Sequence, residues 1–182
     1  MLKGHKVHLR TVRTKDLELL LDLMSDVSVR GNYYPLDLPT ESSLRARYDK
    51  NGMWSDETGM LLMIEPESDR IIGLIVFFKA VHYYNGYEIG YIVFDPTLRG
   101  KGITPEAVQL LVHYLFAWKP ISRLQLQIQP ENKPSIRVAE KCGFQFESIA
   151  RGALLVDGKP ADICVYSLLR DELFLPKDQF IS

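Results

Sequence analysis

Cysteine is scarce. The 182 residues hold two, Cys142 and Cys164, and their spacing fits no metal or redox motif. They read as reduced thiols, and with no disulfide framework the chain is expected in the cytoplasm. Charge of one sign is lacking as well: 22 Lys and Arg stand against 23 Asp and Glu, for a net charge of −1, mixed along the chain. Neither a nucleic-acid face nor a polybasic membrane patch is therefore expected. Apolar runs are no longer than strands, and the opening "MLKGHKVHLRTVRTK" has no apolar h-region, which argues against a signal peptide or a membrane span. Two familiar phosphate loops are missing: there is no GxxxxGK[ST], and no GxGxxG with a downstream acid inside a βαβ unit. What remains is an ordinary globular composition, 46% apolar and 25% charged, read as one domain over residues 1–182.

Patterning along the chain predicts an α+β fold. "HKVHLRTV" alternates as a half-buried first strand. Thr14 is placed to cap a helix through "KDLELLLDLMSDV", with Asp16 and Glu18 in its first turn. A Gly/Pro loop, "RGNYYPLDLPT", leads to a second helix, "ESSLRARYDK", capped by Thr40 and ended at Asn51-Gly52. "MLLMIEP", "RIIGLIVFFKAV" and "YEIGYIVF" then form an antiparallel meander through the turns "PESD" and "HYYNG". A helix over Pro105–Trp118 follows, with an apolar stripe of Val108, Leu111, Val112, Leu115 and Phe116. "RLQLQIQ" alternates strictly as a strand, "NKPSIRVAEKC" reads as a helix closed by Gly143, and "ALLV" with "ADICVYSLL" makes a final hairpin.

The junction "LRGKGITPEAV" carries the chemistry. A strand entering a helix through Gly-x-Gly turns backbone N–H groups outward at the positive end of the helix dipole, which is an anion site. Glycine permits the dihedrals and the close approach. Arg99 and Lys101 add mobile positive charge, while Thr104 and Pro105 read as N-cap and first helical residue.

The run "RGKGIT" resembles the R/Q-x-x-G-x-G/A pyrophosphate loop of the GNAT acyl-CoA N-acyltransferases, and "YEIGYIVFDPTLRGKGITPEAV" is similar to their fourth strand, loop and third helix. "QPENKPSIRVAEKCGFQFE" resembles the N-x-x-S-x7-GF signature of the RimJ/RimL branch, which includes ribosomal-protein N-terminal acetyltransferases. Order and spacing agree from Leu9 to Leu169; Thr104 stands where the general pattern has Gly or Ala.

The resemblance implies a GNAT-like mixed, mostly antiparallel central sheet flanked by helices, whose fourth and fifth strands splay at the cofactor site. It implies acetyl-CoA as cosubstrate, no metal, and an acetyl group moved to a primary amine by direct attack in a ternary complex. Backbone groups of Ile92, Val93 and Phe94 would pair with the pantetheine arm and hold the thioester carbonyl. Arg99, Gly100, Lys101, Gly102, Ile103 and Thr104 would bind the pyrophosphate. Asn132 would bond the pantetheine amide besides capping its helix. Ser135 would protonate the sulfur as general acid, a step contributing about 10²–10⁴-fold. Many relatives carry a Tyr acid seven residues beyond this Asn, where this chain has Ala139.

For the base, some members place a Glu five residues before the Asn, but Gln127 stands there. Glu88 matches a Glu common in the RimJ/RimL branch; it would take the amine proton through a water or hold a cationic acceptor, unless solvent takes the proton. His82 is a further relay candidate, whereas His5, His8 and His113 read as surface residues and Cys142 as a small buried hydrophobe. Tyr33, Tyr34, Trp54 and Tyr84 would line an acceptor pocket, with Tyr83 and Tyr87 as further aromatics, and Asp37, Asp56 and Glu57 would favour a cation. The acceptor is a protein N-terminus or a small-molecule amine, and the protein a monomer or homodimer. A non-catalytic acyl-CoA sensor would keep the loop without needing Ser135 or Glu88.

Overall fold

Two apolar clusters sit on opposite faces of one sheet, and alternation along the strands sorts residues between them. In the computed structural model, which describes residues 1–29, 31, 33 and 37–173, the chain begins with β1 (Leu2–Lys3) and β2 (His8–Thr11). These are followed by α1 (Leu17–Ser25), α2 (Glu41–Asn51), β3 (Thr58–Ile64), β4 (Ile71–Phe78) and β5 (Gly86–Val93). Then come α3 (Ile103–Trp118), β6 (Arg123–Ile128), α4 (Lys133–Lys141), β7 (Gln145–Val156) and β8 (Lys159–Leu169). The sheet has eight strands in the order β1-β2-β3-β4-β5-β6-β8-β7. Every pairing is antiparallel except β5 with β6, which the crossover through α3 makes parallel.

One face packs Val7, Leu9, Ile89 and Val93 under α3 residues such as Val108, Leu111 and Leu115. The other packs Leu62, Leu74, Ile92 and Phe94 under Leu17 and Leu20 of α1 and Leu44 of α2. Leu44 is the only buried residue of α2, so this helix rests on its ends. Thr40 and Ser43 form a reciprocal capping box, and Gly52 closes the helix in the left-handed region at φ 64°.

The expected mixed sheet with splayed central strands is present, and several boundaries differ. The first strand is four residues with a separate two-residue β1 beside it. Residues Thr14–Asp16 form a 3-10 turn, and α1 starts only at Leu17. Asp16 is not a solvated first-turn acid: its carboxylate is buried and takes a bidentate bond from Arg10 (2.6 and 2.9 Å) and one from the Arg13 N–H (2.8 Å). The last hairpin is longer than expected. β7 starts at Gln145 and keeps its pairing through two register shifts, between Phe146 and Ser148 and between Ala150 and Leu154. α3 starts two residues before the expected Pro105, with Gly102 as N-cap; proline is tolerated in that first turn because its N–H would lack a helical partner anyway. Among the described residues, no helix is long and apolar enough to cross a membrane.

Candidate active site

β5 and β6 stay together for three pairs, Gly86 with Arg123, Tyr87 with Leu124 and Glu88 with Gln125. Beyond Glu88 they part: β6 continues along β8 to Ile128, while β5 continues along β4 to Val93. From Ile89 onward β5 therefore has an open edge. The Phe94 N–H donates to Ile72 O at 2.9 Å, and ladder alternation turns Ile92, like Phe94, toward β4. The outward backbone groups are those of Tyr91 and Val93. Of the expected trio, Val93 alone turns its backbone outward, Ile92 borders the cavity with its backbone turned to β4, and Phe94 lies outside the cavity lining with its amide committed to β4.

A cavity of about 650 Å³ lies at this opening. Its walls are the end of β5 (Tyr91, Ile92, Val93), the glycine turn with the start of α3 (Arg99, Gly100, Gly102, Ile103, Thr104), and α4 with its cap (Asn132, Ser135, Arg137, Lys141). Gly31 and Tyr33 close one side. Gly100 and Gly102 take φ of 76° and 83°, in the left-handed region that costs other residues about 1–2 kcal/mol. A Cβ on Gly100 would meet nothing within 4 Å, so the turn leaves room for a bulky group. The first N–H groups of α3 lie at this wall and have no helical acceptor.

The two basic residues of the turn do not behave as mobile charges over it. The Arg99 guanidinium is tied down, donating to Val29 O and to Val93 O (3.2 Å), and so braces the α1–α2 connection against β5. Lys101 is exposed outside the cavity; its carbonyl accepts from Lys6 Nζ at 2.9 Å. Lys6 is held there by Glu106 in the first turn of α3, whose carboxylate accepts the backbone N–H groups of His5, Lys6 and Val7 at 2.7–3.0 Å. Besides the tethered Arg99, the cavity is lined by two cations one turn apart on α4, Arg137 and Lys141. Sequence reasoning missed both, together with Lys6; the i, i+4 spacing of Arg137 and Lys141 was the available signal.

Asn132 and Ser135 come together as expected: Asn132 Oδ1 accepts the Ser135 N–H at 3.2 Å and caps α4, leaving the Asn132 amide nitrogen as a donor. The Tyr91 hydroxyl was also missed. It is buried beside Ser135 with no hydrogen bond of good geometry. Burial pushes its phenol up to about 12, against a smaller opposing pull from Ser135. Cys142 is a buried free thiol, pushed up to about 12 by burial, whose Sγ donates to Pro105 O.

Glu88 lies on the other face of the sheet. It alternates with Ile92, which packs under α1 and α2, whereas Tyr91 alternates with residues under α3. Half-buried at the last β5–β6 pair, it accepts from Gln125 Nε2 at 3.0 Å. Burial raises its carboxyl above the ordinary range, and the Gln125 bond offsets part of that rise. Arg123 extends the chain, donating to Gln125 Oε1 (3.5 Å) and in two bonds to Glu147.

Among the described residues the expected aromatics do not come together. Of the four expected to line the acceptor pocket, Tyr33 borders the cavity, and Tyr34 lies outside the described residues. Trp54 packs edge-on against Phe77 (centroids 5.1 Å apart) and beside Tyr114 and Trp118, near the far end of α3. Tyr84 is exposed, with Arg123 over its ring at 5.0 Å. Tyr87 is a buried core residue whose hydroxyl donates to Asp56 O. The acids read as a lure for a cation are partly neutralised, because Asp56 pairs with Lys119 and Glu57 with Lys79. His113 is half-buried rather than a surface residue, with Nδ1 against Gln109 O, and burial lowers its pKa. A more open hollow of about 800 Å³ lies beyond the C-terminus of α3, but its Arg170 already bonds the carbonyls of Phe116, Lys119 and Ile121. Among the described residues no cluster of His, Cys, Asp or Glu could hold a metal ion.

Residues 6–145 match the acetyltransferase (GNAT) domain family. The chain belongs to that family. It is an acyltransferase, and the GNAT family takes its acetyl group from acetyl-CoA. It is 32% identical over 164 residues to the uncharacterized N-acetyltransferase YnaD of Bacillus subtilis, covering 90% of this chain and 94% of that one. It is 30% identical over 105 residues to the [ribosomal protein uS5]-alanine N-acetyltransferase of Escherichia coli, covering 55% and 52%. The spermidine N-acetyltransferase of Vibrio cholerae, solved with CoA and spermine, shares the fold at TM-score 0.79 and 18% identity, covering 93% of this chain and 98% of that one. The GNAT site is compatible with CoA in its own geometry: a roomy left-handed glycine turn at a helix start, an open strand edge, and two cations on α4.

Proposed function

We propose that this GNAT acetyltransferase is one domain of the RimJ/RimL-like branch that moves an acetyl group from acetyl-CoA to a primary amine by direct attack in a ternary complex. The observation that carries the reading is the parting of β5 and β6 just beyond Glu88, with Ser135 on one side of the sheet and Glu88 on the other. Acyl transfer needs a proton donor at the departing sulfur and an acceptor or anchor at the incoming amine, and approach from opposite faces separates the two tasks.

In this reading the pyrophosphate lies over Gly100–Thr104, bound by backbone N–H groups and the dipole of α3. Arg137 and Lys141 contribute the cations expected of Arg99 and Lys101. The pantetheine runs along the open edge of β5 as an added strand, meeting Tyr91 and Val93 and the Asn132 amide. Ser135 is the general acid. Glu88, held by Gln125, is the base or the anchor of the amine. Tyr33 is the aromatic retained near the acceptor. The pairing of Asp56 and Glu57 with lysines leaves fewer free carboxylates for a polycation and favours a single amine such as a peptide N-terminus. The similarity to the uS5-alanine enzyme over about half the chain points the same way. Two free buried thiols suit a reducing, cytoplasmic setting.

The test is a CoA-release screen with acetyl-CoA against peptides with free N-termini, amino sugars, antibiotics and polyamines. Acetylation of a peptide N-terminus is the expected result. Acetylation of polyamines alone would overturn the branch assignment, and tight acetyl-CoA binding with no acceptor in the panel would overturn the transfer reading.

A further inference from the structure

Of the buried side-chain polar atoms that lack a hydrogen-bond partner among the described residues, the Tyr91 hydroxyl alone belongs to the cavity wall. Leaving such a group unsatisfied is costly, and native folds keep few of them. Phenylalanine would fill the same space without that cost. The position of the hydroxyl shows what it faces. Tyr91 lies on the open edge of β5 and packs against the face of α4 that carries Ser135, Ala139 and Cys142, spaced i, i+4, i+7. Ala139 is fully buried in the cluster against which Tyr91 packs. Cys142 has turned its thiol to Pro105 O. Ser135 gives its backbone N–H to Asn132 Oδ1, its side chain is the one that acts on the Tyr91 hydroxyl, and both residues line the cavity.

Resting on the reading of Ser135 as general acid, we propose that Tyr91 is a positioning residue for Ser135: its O–H donates to Ser135 Oγ, turns the serine O–H toward the departing sulfur, and replaces the proton that the serine gives up. The step balances. The C–N bond to the amine forms as the C–S bond breaks, and the sulfur leaves with the electron pair and takes the Ser135 proton. Ser135 Oγ then takes the Tyr91 proton, and the phenolate recovers one from solvent, into which the amine has released its own. A phenol is a stronger acid than an aliphatic alcohol, so the second transfer is downhill. The phenol, pushed up to about 12 by burial, carries its proton in the resting site and gives it only to the more basic serine oxygen.

The test is Tyr91→Phe, which keeps the ring and removes the hydroxyl. Rates are read with an alanine-terminated peptide, with spermidine, and as acceptor-free acetyl-CoA hydrolysis, so that one readout is independent of the acceptor. The expected result has four parts: kcat lower by about 10–10²; KM and calorimetric Kd for acetyl-CoA within about threefold (under ~0.7 kcal/mol); Tm unchanged or higher; and Tyr91→Phe/Ser135→Ala no slower than Ser135→Ala alone. Full turnover in Tyr91→Phe with a slow Ser135→Ala would overturn the proposal and leave the acid assignment standing. A slow Tyr91→Phe with full turnover in Ser135→Ala would also overturn it, because the tyrosine would then act on sulfur directly. Full turnover in both variants would sink the acid assignment as well.

Discussion

Gln125 donates to Glu88 at 3.0 Å across the last pair that holds β5 and β6 together. The bond fixes Glu88 Oε2 at the point where the strands separate. Because burial outweighs this bond, the carboxyl titrates above the ordinary glutamate range. With Glu88 as base, the acid limb of kcat/KM should have its midpoint above that range, and Glu88→Gln should remove the limb and lower the plateau. The stability sign is opposite to that of a salt-bridged acid. A raised folded pKa means that the native state holds its proton longer than the unfolded chain, so the stabilisation is present at low pH and lost as pH rises through the folded value. Glu88→Gln should therefore raise Tm at neutral pH, with no gain below the ordinary glutamate range. A Tm difference that stays constant across this range would contradict the assignment.

Asp16 presents the reverse case. Its burial by itself would raise the carboxyl, but the bonds from Arg10 and the Arg13 N–H overcome this and hold it below the ordinary aspartate range. Its contribution is present above that range and is lost as pH falls through the lowered folded value. Breaking a buried pair from one side leaves the other charge uncompensated, at about 3–5 kcal/mol. Asp16→Asn should lower stability by that amount in urea titrations at pH 7, and the deficit should shrink in acid. A loss below ~1 kcal/mol would mean that the pair is solvated like an ordinary surface bridge.

Local rules made much of the fold legible. Strict alternation in Arg123–Ile128 is a tertiary-independent signal, as are the Thr40 box and the left-handed Gly52 and Gly143. The lining of the candidate site was legible where a short local motif brings residues to it, as with Gly100, Gly102, Asn132 and Ser135. It was illegible where a role depends on a distant partner. Asp56 reads as a free acid because Lys119 is 63 positions away. Arg99 reads as a phosphate ligand because the carbonyl of Val29 is not adjacent in sequence. Tyr91 reads as one more strand aromatic until α4 is laid over it.

Trp54 separates packing from recognition. It makes edge contacts with Phe77 and lies 5.5 Å from Trp118, ring centroid to centroid, while Gly59 passes so close that an added Cβ would fall 2.8 Å from the indole. Truncating an aromatic in such a cluster costs about 3–5 kcal/mol. Trp54→Ala should lower Tm by several degrees and leave the acceptor KM within about twofold (~0.4 kcal/mol). Tyr33→Ala should do the opposite, raising the acceptor KM with little change in Tm. An unchanged Tm in Trp54→Ala with a raised KM would restore Trp54 to the acceptor pocket.

The glycine turn allows the sharpest separation of binding from folding. Gly100 and Gly102 both sit in the left-handed region, so any side chain adds strain of about 1–2 kcal/mol at either position. They differ in what a side chain would meet. At Gly100 it meets open cavity; at Gly102 it meets Lys6 Nζ at 2.9 Å, the movable end of a flexible chain. Neither substitution therefore disrupts the core, and circular dichroism of Gly100→Ala and Gly102→Asp should remain native. Both place atoms where a phosphate must approach the backbone, and Asp adds an anion beside it. Calorimetry should show Gly102→Asp abolishing acetyl-CoA binding and Gly100→Ala weakening it by about tenfold or more, the ~1.4 kcal/mol equivalent of one lost close approach. Lys141→Glu should weaken it too, with a deficit that shrinks at high salt because its charge is exposed. Unchanged affinity in Gly102→Asp would remove the pyrophosphate from this turn, and with it the proposed course of the pantetheine along β5.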